Sequence, residues 1–251
     1  MESYATAGQV WAAGLIFARV GALLMLIPGV GEQSVPPRIR LGFAFLFALM
    51  LFPVLSAGLP PVPATVGSLA AQLIKEVLIG LMIGTILRLF LSSLATAGEV
   101  ISIQTTLSFA QTANPAQAQP TATLATFLGL FGLVLIMASD LHHLFIAAIV
   151  RSYSLFPVVR PVPVADAGQL AIQTVGGSFA LGLQLAAPVV VFSLIFNVAT
   201  GLVGRVMPAF PVFFVASPII VLLGLSIFAV SLGGIGLVWI DRYRELLDVF
   251  V

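Results

Sequence analysis

No Asp, Glu, Lys or Arg occurs between Asp166 and Arg205, and none occurs between Arg205 and Asp241. As helices rising about 1.5 Å per residue, each of these arms exceeds about 45 Å. The hydrocarbon core of a bilayer is only about 30 Å thick. Uncharged arms of that length, joined by the Pro-rich turn Arg205-Val-Met-Pro-Ala-Phe-Pro211, predict a helical hairpin packed largely on other protein. Pro188 and Pro218 fall inside the arms and are expected to kink them. Arg205 should lie near the tip, where it needs acidic or carbonyl partners.

The rest of the chain is of the same kind. Of 251 residues, 60% are hydrophobic and 8% charged, whereas soluble domains carry about 25% charged residues. A soluble interior cannot hide that much apolar surface, so the surroundings must be lipid or apolar protein. Besides the arms at about 169–203 and 212–240, apolar runs lie at about 10–31, 41–59, 69–95 and 122–139. Only helices satisfy their own backbone in lipid without closing a barrel, and these runs do not alternate as barrel strands do. The fold class is therefore all-α, built of long apolar helices and helical hairpins in a membrane-type protein. The pattern over 122–156 is interrupted at Asp140-Leu-His142-His143, either as a span plus an interfacial helix or as two broken half-helices. The linkers Gly31–Arg40, Pro60–Gly67 and Pro157–Gly168 are short and Pro-rich, so 1–251 is expected to be one unit without a soluble domain.

Charge narrows the function classes. A net charge of +1 argues against nucleic acid as a partner, and the absence of Cys excludes disulfides and thiolate metal sites. The first residues carry Glu2 rather than a basic region, so no cleaved signal peptide is expected. Arg38, Arg40 and Arg205 fall on one side of six spans, and Arg151, Arg160, Arg242 and Arg244 on the other. That bias is too weak to set orientation.

Lys75 and Glu76 lie inside an apolar run, with Arg88 further along it. Charge at membrane depth costs about 2.5–3.5 kcal/mol or more and marks a functional or inter-helix contact. Neighbours in sequence do not face each other on a helix, so each needs its own partner. A contact with a neighbouring subunit is one reading, and snorkelling from a helix end is the other. Gly80-Leu-Met-Ile-Gly84 is a GxxxG, expected to let two helices pack closely. Adjacent His142 and His143 should point to different faces, which makes a shared metal with Asp140 geometrically poor, and no HExxH completes a site. No GxSxG or P-loop occurs, so no metal, cofactor or enzymatic activity is expected.

The segment TLSFAQTANPAQAQP, from Thr106 to Pro120, is polar, yet no charge lies between Glu99 and Asp140. Irregular backbone at membrane depth is tolerated where it is buried in protein or lines a water-filled cavity. A neutral segment anchored by Phe109 fits a plug in a pore; the other reading is an extramembrane connector that merely lacks charge. As a plug, Leu107 and Phe109 would fill the constriction, and Ile103 would lie with them. Gln104, Thr105, Ser108 and Gln111 would offer neutral hydrogen bonds. Asn114, ahead of Pro115, would end it.

Several blocks, in order along nearly the whole chain, resemble the FliR/SctT family of flagellar and type III secretion export gates. They are Arg19-Val-Gly-Ala through Pro36-Pro-Arg38-Ile-Arg40-Leu-Gly42, Lys75-Glu76 with Gly80 and Gly84, and Ala97-Gly98-Glu99 through Gln104 to Asn114-Pro115. The last strong one is Gly201-Leu-Val-Gly-Arg205-Val-Met-Pro208, and His142-His143 with Ser152-Tyr153 and Pro157 forms a weaker one. The chain departs from the pattern at Thr106, where the family usually has Gly, and at Asn114, where it usually has Asp. Ala209-Phe210-Pro211 replaces more polar residues.

The resemblance implies a subunit of a hetero-oligomeric cone with FliP-type and FliQ-type partners and other export-apparatus membrane proteins. Within it, 1–165 is similar to the FliP-type subunit and holds a plug loop at 103–120, while 166–251 is similar to the FliQ-type hairpin. Lys75, Glu76 and Arg205 would contact neighbouring subunits. Unfolded secreted proteins would pass the gate in the bacterial inner membrane, within the flagellar basal body. Two other classes remain open from the residues alone. One is an ion-coupled secondary transporter using Glu76 and Lys75; the other is an intramembrane enzyme using Asp140 and His142.

Overall fold

The computed structural model describes residues 6–32, 34–107, 123–161, 164–209 and 211–248. Among these, every regular element is helical. They are α1 (Ala7–Leu24), α2 (Pro37–Leu55, with a short 3₁₀ turn after it), α3 (Val66–Gln104), α4 (Thr123–Ala138), α5 (Leu141–Leu155), α6 (Val164–Val206) and α7 (Val212–Asp248). Five of the described helices are long and apolar enough to cross a membrane, or six if α4 and α5 form one broken span.

The helix starts follow local chemistry. Thr6 caps α1 in a reciprocal box with Gln9, and Pro37 opens α2 at a position that needs no N–H donor. The expected interruption at Asp140 is real: α4 ends at Ala138, and Asp140 adopts a left-handed backbone with φ of 56° before α5 begins. Asp tolerates that region better than most residues. The arms at 169–203 and 212–240 are each part of one continuous helix, with Pro188 and Pro218 inside them. The helix α3 is longer than its apolar run of 69–95 predicts, continuing through Glu99 to Gln104 for 39 residues. At about 1.5 Å per residue it is roughly 58 Å long.

Contacts divide the chain into two compact units, one from 1–90, 140–174 and 244–251, the other from 91–139 and 175–243. In the first, Leu15, Ile16, Val20 and Leu23 of α1 are buried, as are Ile79, Ile83, Ile86 and Leu87 of α3. The two glycines explain how closely these helices meet. A Cβ on Gly80 would lie 2.3 Å from the Arg19 carbonyl oxygen, and one on Gly84 would lie 2.9 Å from Leu26 Cβ. The close-packing role expected of GxxxG therefore holds.

In the second unit, Trp239 of α7 is fully buried, donates to Ser93 Oγ on α3 at 3.1 Å and stacks on Tyr243 with centroids 4.9 Å apart. Gly98 of α3 sits against the backbone of Ala125 on α4. The α6 and α7 arms pack as a hairpin: Val189 lies near Gly224, and residues from Phe196 to Gly201 share a cleft with Val212 to Ile220. The faces turned away from these cores stay apolar, including Leu46 and Met50 on α2 and Leu222 and Val230 on α7.

Candidate functional site

Glu76 lies one helical turn before Gly80, so the approach that Gly80 permits also brings its carboxylate to α1. There Arg19 Nε donates to Oε2 at 2.6 Å and Nη2 to Oε1 at 3.0 Å. Both side chains are fully buried. Arg19 also donates from Nη1 to the carbonyl and hydroxyl oxygens of Ser152 at 2.8 and 3.3 Å, and from Nη2 to the Phe156 carbonyl at 2.7 Å. All five donors of the guanidinium fork are thereby used. Its Cζ lies over the Tyr153 ring, 4.0 Å from the ring centre, a favourable cation–π position. One ion pair thus joins α1, α3 and the end of α5.

Lys75, half-buried on the adjoining face, donates to the carbonyls of Pro157, Val158 and Arg160. These carbonyls follow the end of α5, where Pro157 stops the helix and leaves acceptors open. The two neighbours do take separate partners, as their positions on a helix require. Both partners, however, lie inside this chain, and Glu76 has no exposed surface left for a neighbouring subunit to touch. Arg205 differs: it is exposed near the end of α6 and has no partner among the described residues.

The second feature is the end of α3. Ile103 and Gln104, expected in the irregular stretch, are instead its last helical residues, and a turn follows at Thr105 and Thr106. Ile103 is exposed. Gln104 Oε1 accepts from Ser193 Oγ at 2.7 Å, and Ser193 Oγ accepts from Asn197 Nδ2 at 3.3 Å. Thr105 is fully buried, with its hydroxyl donating to the Ile101 carbonyl at 2.8 Å. Thr106 has φ of 60° and borders a cleft of about 290 Å³ that Asn197, Thr200 and Ser217 also line. Leu107 follows, half-buried, whereas Ser108, Phe109, Gln111 and Asn114 lie outside the described residues.

A β-branched residue in the left-handed region costs roughly 1–2 kcal/mol, which glycine avoids. That cost gives a physical reason for the glycine usual at this position in the resembling family. Thr106→Gly is accordingly expected to stabilise the protein by about 1 kcal/mol. A higher thermal midpoint of the purified assembly checks it; an unchanged or lower one contradicts it.

Asp140, His142 and His143 come closer than sequence spacing predicts, each offering a ligand atom within 4.8 Å of the others. Adjacent His residues were expected on different faces, but the rings lie 4.2 Å apart and are tilted by 36°.

Sequence comparison places these features in a family. A profile described as Bacterial export proteins, family 1, matches residues 10–246. The chain belongs to that family. Among the relatives of this export family is the flagellar biosynthetic protein FliR of Caulobacter vibrioides, 63% identical over 250 residues and the whole of both chains. FliR of Escherichia coli K12 is 31% identical over 84% of this chain and 80% of its own. FliR of Bacillus subtilis is 27% identical over 82% and 80%. All three carry the name of a flagellar biosynthetic protein.

Within this member of the export family, sequence reasoning missed Arg19 as the partner of Glu76, and Ser193, Asn197 and Gly224 around the end of α3. Arg19 had a readable signal. It is the lone cation in an apolar run, as Glu76 is the lone anion in another, and two such charges need each other.

Proposed function

We propose that this chain is a component of the protein-export gate of the flagellar secretion apparatus, forming part of the channel and of the plug that closes it at rest. It sits in the bacterial inner membrane within the basal body, in a hetero-oligomeric cone with FliP-type and FliQ-type subunits and other export-apparatus membrane proteins. Unfolded flagellar proteins cross that channel. In this reading 1–165 is the FliP-like part, with the plug at 103–120, and 166–251 is the FliQ-like hairpin.

The observation that carries the reading is the end of α3. The long helix α3 ends where the charge-free stretch begins, and Thr106 at that point borders a cleft with Asn197, Thr200 and Ser217. Neutrality suits a gate, because a fixed charge in a narrow low-dielectric pore would bind or repel passing chains of one sign. Family membership supports the export role. The exposed apolar faces support packing on apolar neighbours, as does a cleft of about 620 Å³ between α1 and α2 lined by Phe17, Phe45 and Phe52. Lys75 would hold the loop after α5 for a subunit contact, and Arg205, at the hairpin tip, would meet acidic or carbonyl groups of a neighbour.

Association state tests the proposal. Co-expression with FliP-type and FliQ-type subunits, followed by native mass measurement, is expected to give one hetero-oligomer containing this chain. A chain that purifies alone as a stable monomer and leaves the others to assemble without it would overturn the reading.

A further inference from the structure

We infer that the α6–α7 hairpin is itself part of the closing device, because it grips the end of α3 from two sides. This inference rests on the plug reading above and adds positioning residues that lie far from the plug in sequence. On one side, Ser193 of α6 donates to Gln104 and is braced by Asn197. On the other, Gly224 of α7 faces Thr105 so closely that an added Cβ would lie 2.5 Å from Thr105 Cγ2. Real Cβ atoms do not approach that closely, so any larger residue at 224 must push Thr105 or α7 aside.

The two grips act on consecutive residues at the point where α3 ends. Thr105 has no exposed surface, and its hydroxyl is tied back to its own helix. Its methyl group therefore cannot turn away cheaply. Gln104 and Ser193 meet in a part-buried place, where losing one partner leaves the other polar group without its hydrogen bond. Together these contacts fix where α3 stops and in which direction the chain leaves it. A hairpin that moved relative to α3 would carry that exit point with it. The hairpin thereby sets the position of the root of the proposed plug.

The test uses the intact assembly, purified after co-expression with its partner subunits and placed in liposomes under a KCl gradient. Ser193→Ala and Gly224→Ala are each expected to raise ion flux several-fold while native mass stays that of the wild-type complex. Thr105→Ser removes Cγ2 and keeps the hydroxyl, so Gly224→Ala combined with Thr105→Ser is expected to return flux to the wild-type level. A merely weakened fold would not be rescued by trimming one methyl group. If Gly224→Ala fails to assemble, Ser193→Ala decides alone. Wild-type flux in the assembled Ser193→Ala and Gly224→Ala variants, alongside a leaking Ser108–Ala113 deletion, would overturn the inference and leave the plug reading standing. A tight deletion complex would instead remove the plug reading on which this inference depends.

Discussion

Glu76→Ala is expected to prevent recovery of an assembled complex. The substitution leaves Arg19 as an uncompensated cation in a site with no exposed surface, and breaking one side of a buried pair costs on the order of 3–5 kcal/mol. That is a large fraction of the roughly 5–15 kcal/mol separating folded from unfolded proteins. Arg19 also holds the end of α5 through the Ser152 and Phe156 carbonyls, so disorder at the pair spreads to a third helix. Replacing Arg19 and Glu76 together with Met is expected to be milder than either single change, because no lone charge remains. It will not reach wild type, since those two carbonyls lose their donor. Yield of intact complex by native mass checks the order. A Glu76→Ala complex that assembles and exports normally would show that the pair is dispensable.

Much of the architecture was legible in the sequence. Composition and run length implied long helices, and the charge-free arms around Arg205 implied the hairpin, because an uncharged stretch longer than a bilayer must find protein to pack on. GxxxG at Gly80 and Gly84 announced a close helix pair, although not that α1 is the partner. Pairing was the illegible part. Glu76 and Lys75 were recognisably in need of partners, but Arg19 and the carbonyls after α5 are distant in sequence and meet only through packing. The end of α3 was misjudged for a similar reason. Apolar periodicity fades after residue 95, yet the polar side chains of Ser93 and Gln104 meet Trp239 and Ser193, which allows the helix to continue. The αL backbone at Thr106 could be read only indirectly, from the glycine usual there in the resembling family.

The central claim is that the charge-free stretch after α3 closes a resting protein channel. Its most direct test is deletion of Ser108–Ala113, with Gln104, Thr105 and their hairpin contacts left in place. These six residues hold Phe109, the one large aromatic group of the stretch, and their loss removes the bulk proposed to fill the constriction. Because the buried pair and both helical cores are untouched, native mass is expected to remain that of the wild-type assembly. Ion conductance of that assembly in a planar bilayer, or ion sensitivity of cells carrying it, is then the decisive measurement. The account predicts a resting conductance far above wild type, carried by small ions of either sign. An intact assembly whose conductance stays at the wild-type level would make the stretch a connector and contradict the account.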